Sequence, residues 1–204
     1  MKAVIDIGTN SVLLLLGSRG EDGAVQIERD EARVARLGEG VAKRGSLLPE
    51  AIDRTVKILE DYRVLADDVG APIEAVATEG LRLASDRDVF LRRAEAALGV
   101  PVRMISGDEE ARLSYLSVAR EHPELPAIRV IDIGGASTEL ISGRGETLES
   151  VVSHKIGSVR LTEAHVRHDP ITTAELAAIE REAREAFAAQ PLPPADALHG
   201  LAGT

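Results

Sequence analysis

The sequence predicts an α/β protein of two related lobes, each a mixed sheet flanked by helices, with a cleft between them. Its clearest mark is a repeat: VIDIGTNSVLLLLG from Val4 to Gly17 returns as VIDIGGASTELISG from Val130 to Gly143. Without gaps the two agree at Val4/Val130, Ile5/Ile131, Asp6/Asp132, Ile7/Ile133, Gly8/Gly134, Ser11/Ser137, Leu14/Leu140 and Gly17/Gly143, eight of fourteen positions. Ordinary residue frequencies would give roughly one match, so a duplicated structural unit follows. Each copy reads as a buried strand, an acid, a Gly-containing turn and a returning strand. Around these hairpins short apolar runs alternate with longer helical segments, as in sheets with antiparallel and parallel parts covered by helices.

In order, the first half gives strands at 3–7, 12–17 and 24–35, then a helix at 49–69. Pro49 suits the start of that helix and Gly70 its end. A strand at 73–77, a helix at 88–98 closed by Gly99, a strand at 100–105 and a helix at 108–120 follow. The run His122-Pro123-Glu124-Leu125-Pro126 punctuates the chain and divides it into lobes 1–124 and 125–204. The second half gives strands at 128–133, 138–142 and 147–153, then helices at 158–168 and 172–189, with Thr172 as N-cap. Pro191, Pro193 and Pro194 stiffen a connector to a fourth strand at 198–201. The αβα that follows the fourth strand of the first lobe and packs on its sheet has no counterpart here, so the second lobe reads as truncated. An uncovered apolar strip and strand edge are then expected to leave the chain dimeric or aggregation-prone.

Composition narrows the function. A net charge of −10 argues against broad nucleic-acid binding, which needs a basic face. It leaves room for an anionic small substrate bound locally by backbone N–H groups, a cation and a few Arg. With no Cys there is neither a disulfide nor a thiolate metal site. No apolar run is long enough to span a bilayer and no signal segment stands at the start, so a soluble cytoplasmic protein without membrane partners is expected.

The turns carry the chemistry. Asp6, Gly8, Thr9, Asn10 and Ser11 form the first candidate phosphate loop; Gly134, Gly135, Ala136, Ser137 and Thr138 form the second. Tight turns of this kind present backbone N–H groups to an anion. Asp132 and Glu139 suit Mg²⁺, which takes one or two carboxylates and completes its shell with water and substrate phosphate. Ser106 and Glu109 fit a capping box, which gives Glu109 a structural task. Glu110 has no such task and is the candidate general base for a water. Arg82 follows a strand end, where an open α/β sheet binds ligands, and suits a phosphate, although a surface Arg is the commoner explanation. No P-loop, dinucleotide fingerprint or H-E-x-x-H occurs, and the five His show no metal-ligand spacing.

Taken together, VIDIGTNSV, RLGEGV (36–41), VATEGLRLASD (76–86), ISGDEEARLSYL (105–116), VIDIGGASTEL and SHKIGSVRLTE (153–163) resemble the exopolyphosphatase/guanosine pentaphosphate phosphohydrolase family. The resemblance runs the length of the chain in the right order and implies two ribonuclease H-like lobes of the actin, Hsp70 and sugar kinase superfamily. It implies hydrolysis of terminal phosphoanhydride bonds in polyphosphate, or of the 5′-γ-phosphate of guanosine pentaphosphate. Glu110 matches the catalytic base, Asp132 and Glu139 the acids linked to Mg²⁺, and Arg82 an Arg linked to phosphate or guanosine tetraphosphate. Three departures stand out. Ala136 replaces a usual Gly, Leu13 stands where several relatives have a basic or polar residue, and the chain stops inside GLAGT (200–204). The alternative is a non-catalytic sensor that binds polyphosphate or guanosine tetraphosphate through the same loops. An ATP-dependent kinase is disfavoured by ISGDEEARL.

Overall fold

The computed structural model describes residues 1–21, 23–78, 81, 84–188 and 194–202. They divide into two compact units, Met1–Ser106 and Gly107–Gly203. No helix among them is long and apolar enough to cross a membrane.

The first unit holds β1 (Lys2–Ile7), β2 (Ser11–Arg19), β3 (Val25–Val34), α1 (Val41–Arg44), α2 (Pro49–Asp68), β4 (Ile73–Ala77), α3 (Arg87–Leu98) and β5 (Val102–Met104). Its sheet has the order β3-β2-β1-β4-β5, with β1 antiparallel to β2 and parallel to β4. Alternation along β1 and β2 sends Ala3, Ile5, Ile7, Val12, Leu14 and Leu16 to one face, where all are buried. Two helices cover that face. On α2 the buried stripe is Ala51, Ile52, Thr55, Leu59, Tyr62 and Ala66; on α3 it is Phe90, Ala94 and Leu98. The Tyr62 hydroxyl donates to Val12 O at 3.1 Å, so the largest side chain in this core satisfies its polar end on the sheet. The other face carries Val4, 38% exposed, Val25, 61%, and Ile27, 58%.

The second unit holds α4 (Gly107–Glu121), β6 (Ala127–Ile133), β7 (Thr138–Arg144), β8 (Thr147–His154), α5 (Ser158–His165), α6 (Thr173–Ala188) and β9 (Ala197–Ala202). Its sheet order is β8-β7-β6-β9, again with an antiparallel hairpin and a parallel fourth strand. The first four strands of the first unit have the same arrangement. Even the irregularities recur: the register slips between Leu16 and Gly17 in one unit and between Ser142 and Gly143 in the other. At the second slip a Cβ would meet Thr147 O and the ring of Tyr115, 2.5 Å from Cζ, and at the first it would lie 2.9 Å from Gln26 O, so neither position takes a side chain without a shift.

One expectation fails. The helix after β5 was expected to complete the first lobe, with a division at 124/125. It packs instead on the second sheet, and the compact units divide at 106/107. The reason is its apolar stripe: Ala111, Tyr115, Val118 and Ala119 bury against Ile128, Val130 and Ile141. Tyr115 also donates to Gly145 O at 2.8 Å. Val4 and Val130 are equivalent in the repeat, yet only Val130 is covered. At the unpaired side of β9, Leu198 is 65% exposed.

Thr172 caps α6 as expected. Its hydroxyl accepts from Glu175 N–H at 3.3 Å, and Glu175 Oε2 accepts from Thr172 N–H at 2.9 Å. Glu175 also accepts from Arg167 N–H at 2.7 Å and pairs with His168 Nδ1 at 2.9 Å. These partners, the Thr172 backbone N–H foremost and then His168, hold its carboxyl down to about 2 from 4.5. A carboxyl lowered in the folded state stabilises above its unfolded pKa, and that contribution disappears as pH falls through the folded value. The Tm gap between wild type and Glu175→Gln is therefore expected to be constant above about pH 5 and to shrink between pH 4.5 and about 2. A gap independent of pH over that window would contradict it.

Candidate active site

Both hairpin turns close with one backbone bond at the same repeat position. Gly8 N–H donates to Ser11 O at 2.9 Å, and Gly134 N–H to Ser137 O at 3.0 Å. A Cβ at Gly8 would lie 3.1 Å from Ser11 O, and one at Gly134 3.2 Å from Ser137 O. Both turns are thus drawn too tight to take a side chain there without a shift.

Each turn is also braced by a second glycine, distant in sequence. In the first unit Gly38 N–H donates to Thr9 O, and the N–H groups of Ala35 and Arg36 both donate to Asn10 O, each at 2.8 Å. A Cβ on Gly38 would collide with Thr9 Cγ2. Arg36 has φ 51°, the one left-handed non-glycine among the described residues. That conformation costs about 1–2 kcal/mol and is held here by the Asn10 carbonyl. In the second unit Ser158 N–H donates to Gly134 O at 3.0 Å and Arg160 N–H to Gly135 O at 3.1 Å. A Cβ on Gly157 would lie 2.5 Å from Gly135 C and O and 2.7 Å from Ala136 C. Thr9 and Gly135 are equivalent in the repeat, so the same turn position is braced twice. The self-match misses Gly38 and Gly157; the only sequence signal for them is their place within RLGEGV and SHKIGSVRLTE. Ala136 has no positive φ, so its methyl group is accommodated without backbone strain.

The acids differ between the units. Asp132 is directly opposite Glu139 in the β6–β7 register, whereas Asp6 is opposite Leu13. Directly opposed residues hold their Cβ atoms about 4.5–5.5 Å apart, close enough for two carboxylates to share one cation. Leu13 removes that possibility from the first turn. Both acids of the pair are held by hydroxyls: Ser114 Oγ donates to Asp132 Oδ2 and Ser153 Oγ to Glu139 Oε1, each at 2.7 Å. The described residues contain no group of three or more His, Asp and Glu able to enclose a metal. The pair therefore suits an ion that brings most of its own shell, as Mg²⁺ does with water and phosphate oxygens.

Glu109 and Glu110 are half-buried in the first turn of α4. Glu110 and Ser114 are four residues apart and share a helix face, so the residue tied to Asp132 is one turn from the proposed base. Arg82 lies outside the described residues. The His side chains serve packing or ion pairs: His154 meets Phe187 edge-on at 5.0 Å, His122 lies 4.5 Å from His199, and His165 Nε2 is 2.5 Å from Glu182 Oε2.

Two mixed sheets of one repeated topology, flanked by helices, make this a protein of the actin-like ATPase fold. The chain belongs to the Ppx/GppA phosphatase family, whose model matches residues 18–198. It is 38% identical to exopolyphosphatase 2 of Mycobacterium tuberculosis over 216 aligned residues, covering 99% of this chain and 67% of the relative. The Ppx/GppA family member of Aquifex aeolicus, in its crystal structure, is 33% identical with a TM-score of 0.77, covering 97% of this chain and 64% of that one. An exopolyphosphatase from Cytophaga hutchinsonii is 29% identical with a TM-score of 0.81, covering 91% and 60%. The chain thus spans about two thirds of the length of these relatives.

Proposed function

We propose that the chain hydrolyses terminal phosphoanhydride bonds of inorganic polyphosphate. Glu110 takes the proton of the attacking water, and Asp132 with Glu139 holds Mg²⁺. The observation that carries the reading is the acid pair at the mouth of the glycine turn, tied through Ser114 to the helix of Glu110. The M. tuberculosis relative is an exopolyphosphatase, which supports polyphosphate as the substrate. Guanosine pentaphosphate, which offers the same anhydride chemistry, is the second substrate to test.

The chain's own groups divide the work. Backbone N–H groups of the turn at 135–137, beside the acid pair of the same unit, bind phosphate oxygens and fix the terminal group; the turn at 8–11 offers the same kind of groups within its own unit. Asp132 and Glu139 would hold Mg²⁺, whose charge would favour departure of the bridging oxygen. Glu110 Oε accepts a proton from water as its oxygen approaches the terminal phosphorus, opposite the bridging oxygen that departs.

Phosphate release from polyphosphate and from guanosine pentaphosphate, each with Mg²⁺, tests it. Release that requires Mg²⁺ and proceeds from the polyphosphate end is expected. Binding of either anion without any release would replace the hydrolase with a sensor.

A further inference from the structure

Serine inside a helix usually returns its hydroxyl to a backbone carbonyl three or four residues back. Ser117 does so in α4, donating to Ser114 O at 2.8 Å. Thr55 does so in α2, donating to Ala51 O at 2.7 Å. Ser114 does not. Its hydroxyl leaves the helix and donates to Asp132 Oδ2 on β6 at 2.7 Å. The hydroxyl–carboxylate bond is of the short, charge-assisted kind.

The position gives that bond two consequences. It fixes the plane of the Asp132 carboxylate through one oxygen and leaves Oδ1 for a cation or its water. It also sets the phase of α4 against β6 at the turn next to Glu110. The rest of the α4 packing is an apolar stripe of Ala111, Tyr115, Val118 and Ala119, with polar ties from Tyr115 to Gly145 O and from Arg120 to Glu146 at the turn between β7 and β8; these hold the helix down and leave the orientation of the acid to Ser114. Ser153 on Glu139 is a weaker counterpart: it is exposed and bonds only its register partner on the next strand.

We propose that Ser114 is a positioning residue of the hydrolytic site. It orients the Asp132 carboxylate toward the metal and holds Glu110 in step with it. The inference rests on the reading of Asp132 and Glu110 given above. Carboxylates that ligate metals are commonly oriented by such hydrogen bonds, and losing one costs about 10–100-fold in metal affinity or activity.

The test uses the 204-residue chain and Mn²⁺ alone, read by loss of the free-ion paramagnetic resonance signal. Wild type is expected to bind Mn²⁺ at a site that Asp132→Asn removes. Ser114→Ala is expected to weaken that Kd by about tenfold and to lower kcat on polyphosphate by a similar factor with KM little changed. Ser114→Thr, which keeps the hydroxyl, should stay close to wild type. Should the Ala variant fold poorly, Ser114→Cys keeps the volume with a feebler donor and should fall between wild type and the expected loss. A folded Ser114→Ala chain with wild-type Mn²⁺ affinity and kcat would overturn the inference while leaving the hydrolase intact. A wild-type chain whose Mn²⁺ binding ignores Asp132→Asn would overturn the metal reading, and the inference with it.

Discussion

Glu110→Gln is expected to lower turnover of polyphosphate by ~10²–10⁴, the usual share of a general base, with little change in KM. Gln keeps the shape and helix propensity of Glu and loses its charge, and with it the capacity to take a proton. The turn proposed to bind phosphate and the Asp132–Glu139 pair are untouched. Glu109→Gln is the control, because an acid beside a helix start favours the helix without needing to accept a proton. Steady-state kcat and KM on both variants decide the matter. Equal turnover in wild type and Glu110→Gln would remove the base from this residue; a fall confined to Glu109→Gln would move it by one position.

The second large effect is structural. Gly157→Ala places a methyl carbon 2.5 Å from the Gly135 carbonyl and 2.7 Å from Ala136 C. Those are backbone atoms and cannot rotate aside. The start of α5 must retreat, losing the bonds from Ser158 and Arg160 to Gly134 O and Gly135 O. Overpacking of this kind costs about 1–3 kcal/mol, and the freed turn is expected to bind phosphate more weakly, so KM rises. Gly45→Ala is the contrast: Gly45 has φ 72° with nothing within 4 Å of an added Cβ. It should cost about 1 kcal/mol from backbone strain and leave KM unchanged. Denaturant midpoints and KM values separate the two. A Gly157→Ala chain with wild-type midpoint and KM would show that the brace does not hold the turn.

Much of the architecture was legible because hairpins announce themselves. The repeat fixed β1–β2 and β6–β7 as equivalent, and their strands lie within about two residues of expectation at each end, the usual uncertainty of an element boundary. Gly70, Gly99 and Pro49 bounded α2 and α3 through backbone preferences that need no tertiary contact. Four-residue α1 was missed because it is too short to show a period. β5 is shorter than expected, Val102–Met104, since Pro101 has no N–H to give a neighbouring strand. The helix expected to reach 168 stops at His165 because Glu175 takes the Arg167 N–H and the His168 ring for its own cap. Packing of α4 was misassigned for a different reason. An apolar stripe states that a helix buries one face, not which sheet receives it.

The site follows the same division. Asp132, Glu139 and Glu110 stand out in the sequence by residue type and place. Their supports do not. Ser114, Ser153, Gly38 and Gly157 matter through partners 14 to 29 positions away or across a sheet, and no local pattern encodes such pairs. Leu13 is intermediate: its oddity is visible in the repeat, but its meaning, one acid pair instead of two, needs the strand register.

Water activated by Glu110 is proposed to attack the terminal phosphorus of a polyphosphate. Hydrolysis in ¹⁸O-labelled water with Mg²⁺ tests it most directly. The account predicts one solvent oxygen in each orthophosphate released, at a rate that collapses in Glu110→Gln. Absence of release, or passage of the terminal phosphoryl group to an added acceptor such as ADP without solvent oxygen in the product, would contradict it.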